Sequence, residues 1–544
     1  MLSSKSLNPS QGTIKDVLNK TKATAGQTIK TKLKAKNDKK HKDRLSNKEI
    51  RTLKSKKKKS ERQLREIKQA EGIEIAKKIA IPNRISALTV EQDKQIRTDS
   101  VLTQINIMGT QLPNLLRDLS KIKDIRNPKT LKHKLTVLLL YGILCFVFHV
   151  ASRREANREM TEPQFKDTLQ KLFPELESMP PNDTLKRLLE NINVLEIENA
   201  HINMIKRLVR GKKFKKYLVN NCYPIAIDGT QKLTSNDLWD EDLQQRTITL
   251  KSGEFIQYYV YVLEANLVFK NGMSIPLLSE FLKYSEGDKE ENKQDCELRA
   301  FKRLAEKLHS YFPNLAIILL LDGLYSVGPV IKICNDYKWQ YMIVLQDGSL
   351  STVWRDFNGL LPLQNGNSKW SGICNGRVQE FYWVNEIEYE YGTDTKLEIM
   401  LNMVVCEESW EEIDKDGQRV KKHSKHVWLS SRKLCKLNVE ERCNSGARFR
   451  WGIEESNLKE KHQGYNYEHC FCKHLNALMG YHYLMRLAHA LNELVHHTVI
   501  LKKKIQEHTI RGFVKYIFET CKGLWLTAEA IEIGLKKNYR YQLN

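Results

Sequence analysis

Residues 316–321, Ala-Ile-Ile-Leu-Leu-Leu, form an unbroken apolar run that closes on Asp322-Gly323. A run this short with no polar face reads as a strand covered on both sides, and such a strand requires a sheet sandwiched between helical layers. Neighbouring segments supply those layers. The spacing over 295–311 predicts a helix with Leu298, Phe301, Leu304, Ala305 and Leu308 on one face, stopped by Pro313. A further helix is expected over 330–337 and a strand over 341–345. Upstream, 223–229 reads as another short buried strand, and it also ends in Asp-Gly. Strand-like stretches 258–269 and 273–281 flank Asn271-Gly272, a strong hairpin signal. The expectation is a three-layer α/β domain.

Helical spacing dominates before this domain, over 81–220, with a break expected at Pro113 and buried helices over 131–150 and 185–208. Asp183 or Thr184 is expected to cap the helix that follows Pro180-Pro181. Residues 347–430 break the α/β rhythm with strand-like stretches over 380–391, 397–406 and 426–430. They hold five of the nine tryptophans (Trp354, Trp370, Trp383, Trp410, Trp428) and read as a β-rich insertion. Helical signals return over 448–461, 475–495 and 511–535. The expected domains are a basic arm, largely disordered or partly helical (1–80), and a helical DNA-binding and dimerisation region (81–220). The catalytic domain comes in two parts (221–346 and 431–498) around the insertion (347–430), and a helical C-terminal region (499–544) follows.

Charge is concentrated in the arm. Residues 1–70 hold 22 Lys and Arg against 6 Asp and Glu, a net +16 of the chain's +24. Lys54-Ser55-Lys56-Lys57-Lys58-Lys59 leaves no apolar stripe, so the arm suits a solvated tail or a loose contact with polyanions, where counterion release favours binding. With 41% hydrophobic residues over 544 positions, the chain is neither wholly disordered nor a secreted mini-domain. Its eleven cysteines follow no repeated spacing, as expected of free thiols in a reducing compartment. The longest apolar stretch, 135–150, contains Gly142 and His149 and is shorter than the ~18 residues of a membrane span, so it reads as a buried helix. The expected location is cytoplasmic, nucleoid-associated when DNA-bound, with no membrane partner.

Two buried strands that each end in Asp-Gly place Asp228 and Asp322 where ligands of open sheets bind, and two carboxylates there can share a cation. The helix after the insertion supplies a third acid. Arg450, Glu454 and Lys461 are spaced by four and seven, so they share one helix face. An acid flanked by two cations suits a phosphate-cleaving site, in which the carboxylate holds metal and the cations neutralise phosphates. Trp451 and Leu458 are expected to anchor the adjoining faces. Glu455 is expected to form a surface salt bridge with Lys459.

At these residues the sequence resembles the DDE transposases of bacterial insertion sequences, in the branch with a β-rich insert between the second and third acids. That branch carries a Tyr-Arg-Glu-Lys signature, and Arg450, Glu454 and Lys461 fall on it in register, with Ala447 at the Tyr position. The segments Ile227-Asp228-Gly229-Thr230 and Leu321-Asp322-Gly323-Leu324-Tyr325 look like the family's first- and second-acid strands, and 124–158 and 463–469 are also similar. The resemblance spans roughly 100–495. It implies an RNase H-like mixed sheet flanked by helices, split by a β-rich insertion, with a helical N-terminal domain. Asp228, Asp322 and Glu454 would be catalytic and would bind two Mg²⁺ ions, or Mn²⁺ in their place; Arg450 and Lys461 would contact DNA phosphates. The implied activity is cleavage and strand transfer at the ends of an insertion sequence, on double-stranded DNA, by a homodimer. Trp354, Trp370 or Trp383 would hold an extruded base. Two alternatives stand beside this reading: a domesticated noncatalytic DNA-binding protein, and a nuclease on the same fold that joins nothing.

Acidic runs at 240–242 and 286–291 read as solvated loops. His469-Cys470-Phe471-Cys472-Lys473-His474 is too tightly spaced for the usual zinc pairs, and no phosphate-cradling glycine loop points to ATP.

Overall fold

The computed structural model describes residues 47–70, 81–83, 86–150, 152–250, 253–283, 293–364, 366–392, 395–536 and 539–544. The rest of the arm, 1–46 and 71–80, and the acidic run 286–291 lie outside the described residues. The chain divides into two units. The smaller joins the N-terminal residues to 375–378 and 409–424. Its helix α1, Asn47–Ala70, is built mainly of Lys, Arg, Glu and Gln, which form helices readily and need no apolar stripe to do so. Arg62 and Glu66 pair across one turn at 3.0 Å, Lys68 Nζ donates to the Glu411 carbonyl at 3.1 Å, and Arg377 stacks on Trp410.

The larger unit begins with a helical region: α2 (Val90–Gly109), α3 (Leu112–Leu119), α4 (Leu135–Val147), α5 (Arg153–Glu159), α6 (Pro163–Leu172), α7 (Asn182–Asn191) and α8 (Leu195–Arg210). The expected break at Pro113 falls two residues earlier. Pro113 sits in the first turn of α3, where its missing N–H leaves no helical bond unmade. The expected cap on α7 is corrected: Asp183 and Thr184 lie inside its first turn, and the Asn182 amide donates instead to Asn157 Oδ1 at 2.6 Å. All but one residue of α4 are buried. Gly142 allows this packing, because a Cβ there would stand 2.8 Å from the Leu484 side chain and 2.9 Å from that of Leu185. Among the described residues, no helix is long and apolar enough to cross a membrane.

Ten strands then form one sheet: β1 (Tyr223–Ser235), β2 (Gln244–Leu250), β3 (Gly253–Val268), β4 (Ser274–Phe281), β5 (Ile317–Leu321), β6 (Gln340–Val344), β7 (Lys369–Cys374), β8 (Arg377–Tyr391), β9 (Leu397–Ile413) and β10 (Arg419–Ser430). Their order is β2-β3-β1-β5-β6-β10-β9-β8-β7, with β4 also on β3. β1, β3 and β4 are antiparallel, while β1, β5 and β6 run parallel. The crossover helix α9, Lys293–Tyr311, precedes β5, and α10, Gly328–Asp336, precedes β6. The architecture is mixed α/β and broadly RNase H-like. As the apolar run at 316–321 requires, every residue of β5 is buried. One core lies beneath the N-terminal helices; a second, including Ile318, Leu320, Met342, Trp383 and Trp428, lies on the other face.

Two strand expectations change. β1 does not end at Gly229 but continues to Ser235 along β3, with a bulge between Gln231 and Leu233. The strands of 347–430 extend the main sheet through an antiparallel β10–β6 pair and are preceded by a helix, α11 (Ser351–Leu360). The chain closes with α12 (Trp451–His462), α13 (Leu475–His496), α14 (Lys502–His508), α15 (Ile510–Lys522) and α16 (Ala528–Leu535).

Candidate active site

Strand register brings the first two acids together. β1 and β5 pair in parallel up to Ala226–Leu320, and Asp228 and Asp322 each follow two residues later. The two carboxylates therefore leave adjacent strands at the same level. Asp322 caps the short turn after β5, its Oδ1 accepting from the Leu324 amide at 2.9 Å. Helix α12 brings up Glu454, and the Arg450 guanidinium pairs with that carboxylate at 2.7 Å. Burial pushes the Asp228 carboxyl up to about 7, with Asp322 and Glu454 adding to the rise and Arg450 opposing it. Asp322, Glu454 and Arg450 are thus close enough to Asp228 for their charges to act on it.

The glycines after the acids have a local cause. A Cβ on Gly229 would meet the Tyr261 hydroxyl at 2.7 Å, and one on Gly323 would meet the Gln346 side chain at 2.9 Å. Tyr261 donates to Glu297 Oε1 on α9 at 2.8 Å, which adds a fourth, buried carboxylate to the field at Asp228. Among the described residues, buried Tyr325 Oη has no hydrogen-bond partner, and it lies in the field of Glu297, Asp322 and Asp228. Carboxylate oxygens such as those of Asp228, Asp322 and Glu454 are the donors a hard divalent cation takes, and Asp322 and Glu454 both make ionisation of Asp228 costly without a compensating charge. The three acids do not all lie within 4.8 Å of one another. The trio that does, among the described residues, is Glu388, Glu390 and Glu398, an exposed cluster that can hold a metal ion and in which Glu390 also pairs with Lys396 at 3.0 Å.

Beside Asp322 opens a cleft of about 570 Å³, lined among others by Lys425, Trp428, Arg448, Arg450 and Trp451. His426 stacks on Trp428 with ring centroids 5.7 Å apart, and Lys425 lies over the Trp354 ring at 4.5 Å. Ala447, at the signature's Tyr position, lines the same cleft. Of the three expected base-holding tryptophans, Trp383 is in the core at 3% exposure, Trp370 packs on Phe381, and Trp354 is half-buried beside the cleft. Trp451 is 59% exposed and Leu458 is 54% exposed, so neither anchors α12 as expected. Lys461 shares that helix but pairs with Glu468 at 3.1 Å. Lys459 is also corrected: it reaches the buried Glu493 at 3.0 Å, while Glu455 stays exposed.

A buried ionic network anchors α12 instead, and nothing in the sequence reading anticipated it. Arg486 on α13 pairs with Glu264 of β3 at 2.7 Å and Glu460 of α12 at 3.2 Å. His489 Nδ1 lies 2.5 Å from Glu460, and Tyr467 donates to Glu264 at 2.8 Å. Lys232, the residue at the β1 bulge, donates to the Tyr467 carbonyl at 3.2 Å. Burial alone would lower the His489 pKa, yet its contacts with Glu460 and Glu493 raise it. The sequence signal available was polar residues at helical spacing inside an otherwise apolar helix: His482, Arg486, His489 and Glu493.

Residues 116–205, within the N-terminal helical region, match the family model described as DDE_Tnp_1-associated, a distant association with DDE-transposase-related domains. No curated protein matches the chain. Among solved structures it is similar to the piggyBac transposase in a synaptic complex with hairpin DNA, at 10% identity over 82% of each chain and a TM-score of 0.32.

Proposed function

We propose that the chain is a transposase that cuts DNA at the ends of an insertion sequence and joins the freed end to a new site. The observations that support this reading are that Asp228 and Asp322 leave adjacent strands at one level, that the Glu454 charge acts on Asp228, and that a cleft lined by Asp322, Arg448, Arg450 and Lys425 opens there. These acids would hold Mg²⁺, which when bound supplies the charge that activates water or a 3′-hydroxyl and neutralises the leaving oxygen. In cleavage, water oxygen bonds to phosphorus, the P–O3′ bond breaks, and the departing 3′-oxygen takes up the proton that the water gives up. In transfer, that 3′-hydroxyl attacks another phosphodiester, one P–O bond replaces another, and the proton it gives up ends on the displaced oxygen. Arg450 has a second role in this scheme. A DNA phosphate competes for its guanidinium, and releasing Glu454 from their 2.7 Å pair completes the acid set.

Lys461 we assign to a flanking phosphate, and the strands of 347–430 to an insertion within an RNase H-like core. The helical region 81–220 would recognise ends and form the homodimer that joins two of them. Trp354, beside the cleft, is the preferred base-holding residue of the three. The test is a purified protein with Mg²⁺ and labelled duplex from the inverted repeats bordering its gene. Nicking followed by strand transfer is expected, lost in Glu454→Gln and retained in Glu455→Gln. Nicking without joining would favour the nuclease alternative, and full activity in Glu454→Gln would overturn the assignment.

A further inference from the structure

Away from the acids, the chain leaving α8 builds a second basic feature. Lys212 takes a positive φ of 55°, which turns the backbone sharply after Arg210. Phe214 and Tyr217 are buried against Phe269, with ring centroids at 5.2 and 5.5 Å. Anchoring these two aromatics leaves Lys212, Lys215 and Lys216 exposed. Lys213 donates to the Tyr541 carbonyl at 3.0 Å, and Lys216 donates to the Leu543 carbonyl at 2.5 Å. Between the two segments lies a cavity of about 620 Å³ lined by all four lysines. Lys502 reaches Asn544 Oδ1 at 2.9 Å, so a further cation borders the same segment.

Among the described residues, no Asp or Glu side chain lines this cavity. Some exposed lysines of the unit pair with carboxylates, as Lys171 does with Asp167 and Lys332 with Asp336. Among the described residues, none of Lys212, Lys213, Lys215, Lys216 and Lys502 forms an ion pair. Four lysines lining one cavity repel one another, and a polyanion relieves that repulsion while releasing its own counterions.

We propose that this lysine-lined cavity and its rim bind the phosphate backbone of duplex DNA, as a contact separate from the acid-bearing cleft. The inference rests on DNA being the partner, as in the function proposed above. The contact is independent of base sequence, because lysine meets phosphate as a point charge. The test uses the full chain without divalent ions and a random-sequence duplex, with binding followed by fluorescence anisotropy across a salt series. Lys212→Ala/Lys215→Ala removes two exposed side chains that hold no hydrogen bond among the described residues. The slope of log affinity against log salt should fall by about 2, and affinity at low salt by about tenfold or more. Lys171→Ala/Lys332→Ala, on acid-paired lysines, serves as the control and should move the slope far less. An unchanged slope in the cavity variant overturns the proposal, and so does weaker binding without a change of slope. A parent protein that binds with the expected slope but never nicks DNA would sink the catalytic reading and leave this surface standing.

Discussion

Asp228→Asn will abolish Mg²⁺-dependent strand cleavage, with a loss of about 10³-fold or more, because a metal-holding carboxylate contributes several kcal/mol of transition-state charge stabilisation. Asp322→Asn should do the same. Neither change should unfold the chain, since both acids are only half-buried. DNA binding without metal should persist or tighten as a negative charge leaves the cleft. Retention of full cleavage by either variant would remove that residue from the site. A pH signature accompanies the loss. The Asp228 carboxyl is pushed up to about 7 from its ordinary 3.8, by burial first and then by Asp322. Between those two values the folded chain keeps a proton that the unfolded chain has released, so this group's contribution to stability declines as pH rises from about 4 to about 7 and is level above. Mg²⁺ needs the ionised form and competes with that proton. Its stabilising effect on thermal unfolding should therefore be weak well below pH 7 and grow as pH rises through it. A Mg²⁺ effect that is flat with pH, or that survives unaltered in Asp228→Asn, would contradict this account.

Arg486→Met will be the most destabilising single change in the larger unit outside its apolar cores. The guanidinium is 2% exposed and serves Glu264, Glu460 and Asn266 at once. Removing it strands two buried carboxylates, and breaking a buried pair from one side costs about 3–5 kcal/mol. The measurement is the urea midpoint of the larger unit, compared with Glu264→Gln/Arg486→Met. The double variant should recover part of the loss, because it also removes one of the stranded charges. A loss below about 1 kcal/mol for the single change would mean that the network is hydrated and that its pairs carry little. Because Glu460 lies on the helix that presents Glu454, cleavage should weaken in Arg486→Met even at temperatures where the chain stays folded.

Much of the fold was legible because it depends on local pattern. The Asn271-Gly272 hairpin formed with its turn where expected, Gly272 taking a φ of 82°. β5 and α9 lie within two residues of their expected bounds. The misses share a cause in non-local contact. β1 runs past Gly229 because β3 extends far enough to pair with it, and no residue of 223–235 announces that partner. Lys459 could reach either Glu455 on its own helix or Glu493 on another, and the buried acid prevails because burial strengthens the attraction. Trp451 and Leu458 look like core residues in a one-dimensional pattern. They stand exposed because polar Ser456, Asn457 and Glu460 occupy the inward face, where Arg486 and His489 wait for Glu460.

By itself, the sequence determined that 223–227 and 316–321 are buried strand segments, that each leads into an acid followed by a glycine, and that a third acid lies on a helix beside Arg450. These are properties of single segments, set by hydrophobic period and by residue type. Only the tertiary structure decided that Asp228 and Asp322 leave adjacent parallel strands at one level, and that Arg450 closes on Glu454. It alone decided that the glycines make room for Tyr261 and Gln346, and that the lysines of 212–216 line one cavity. Register between strands and the pairing of charges are fixed by contacts across tens to hundreds of residues. Electrostatic energy depends on distance in space and on burial, and neither is written in the order of the chain.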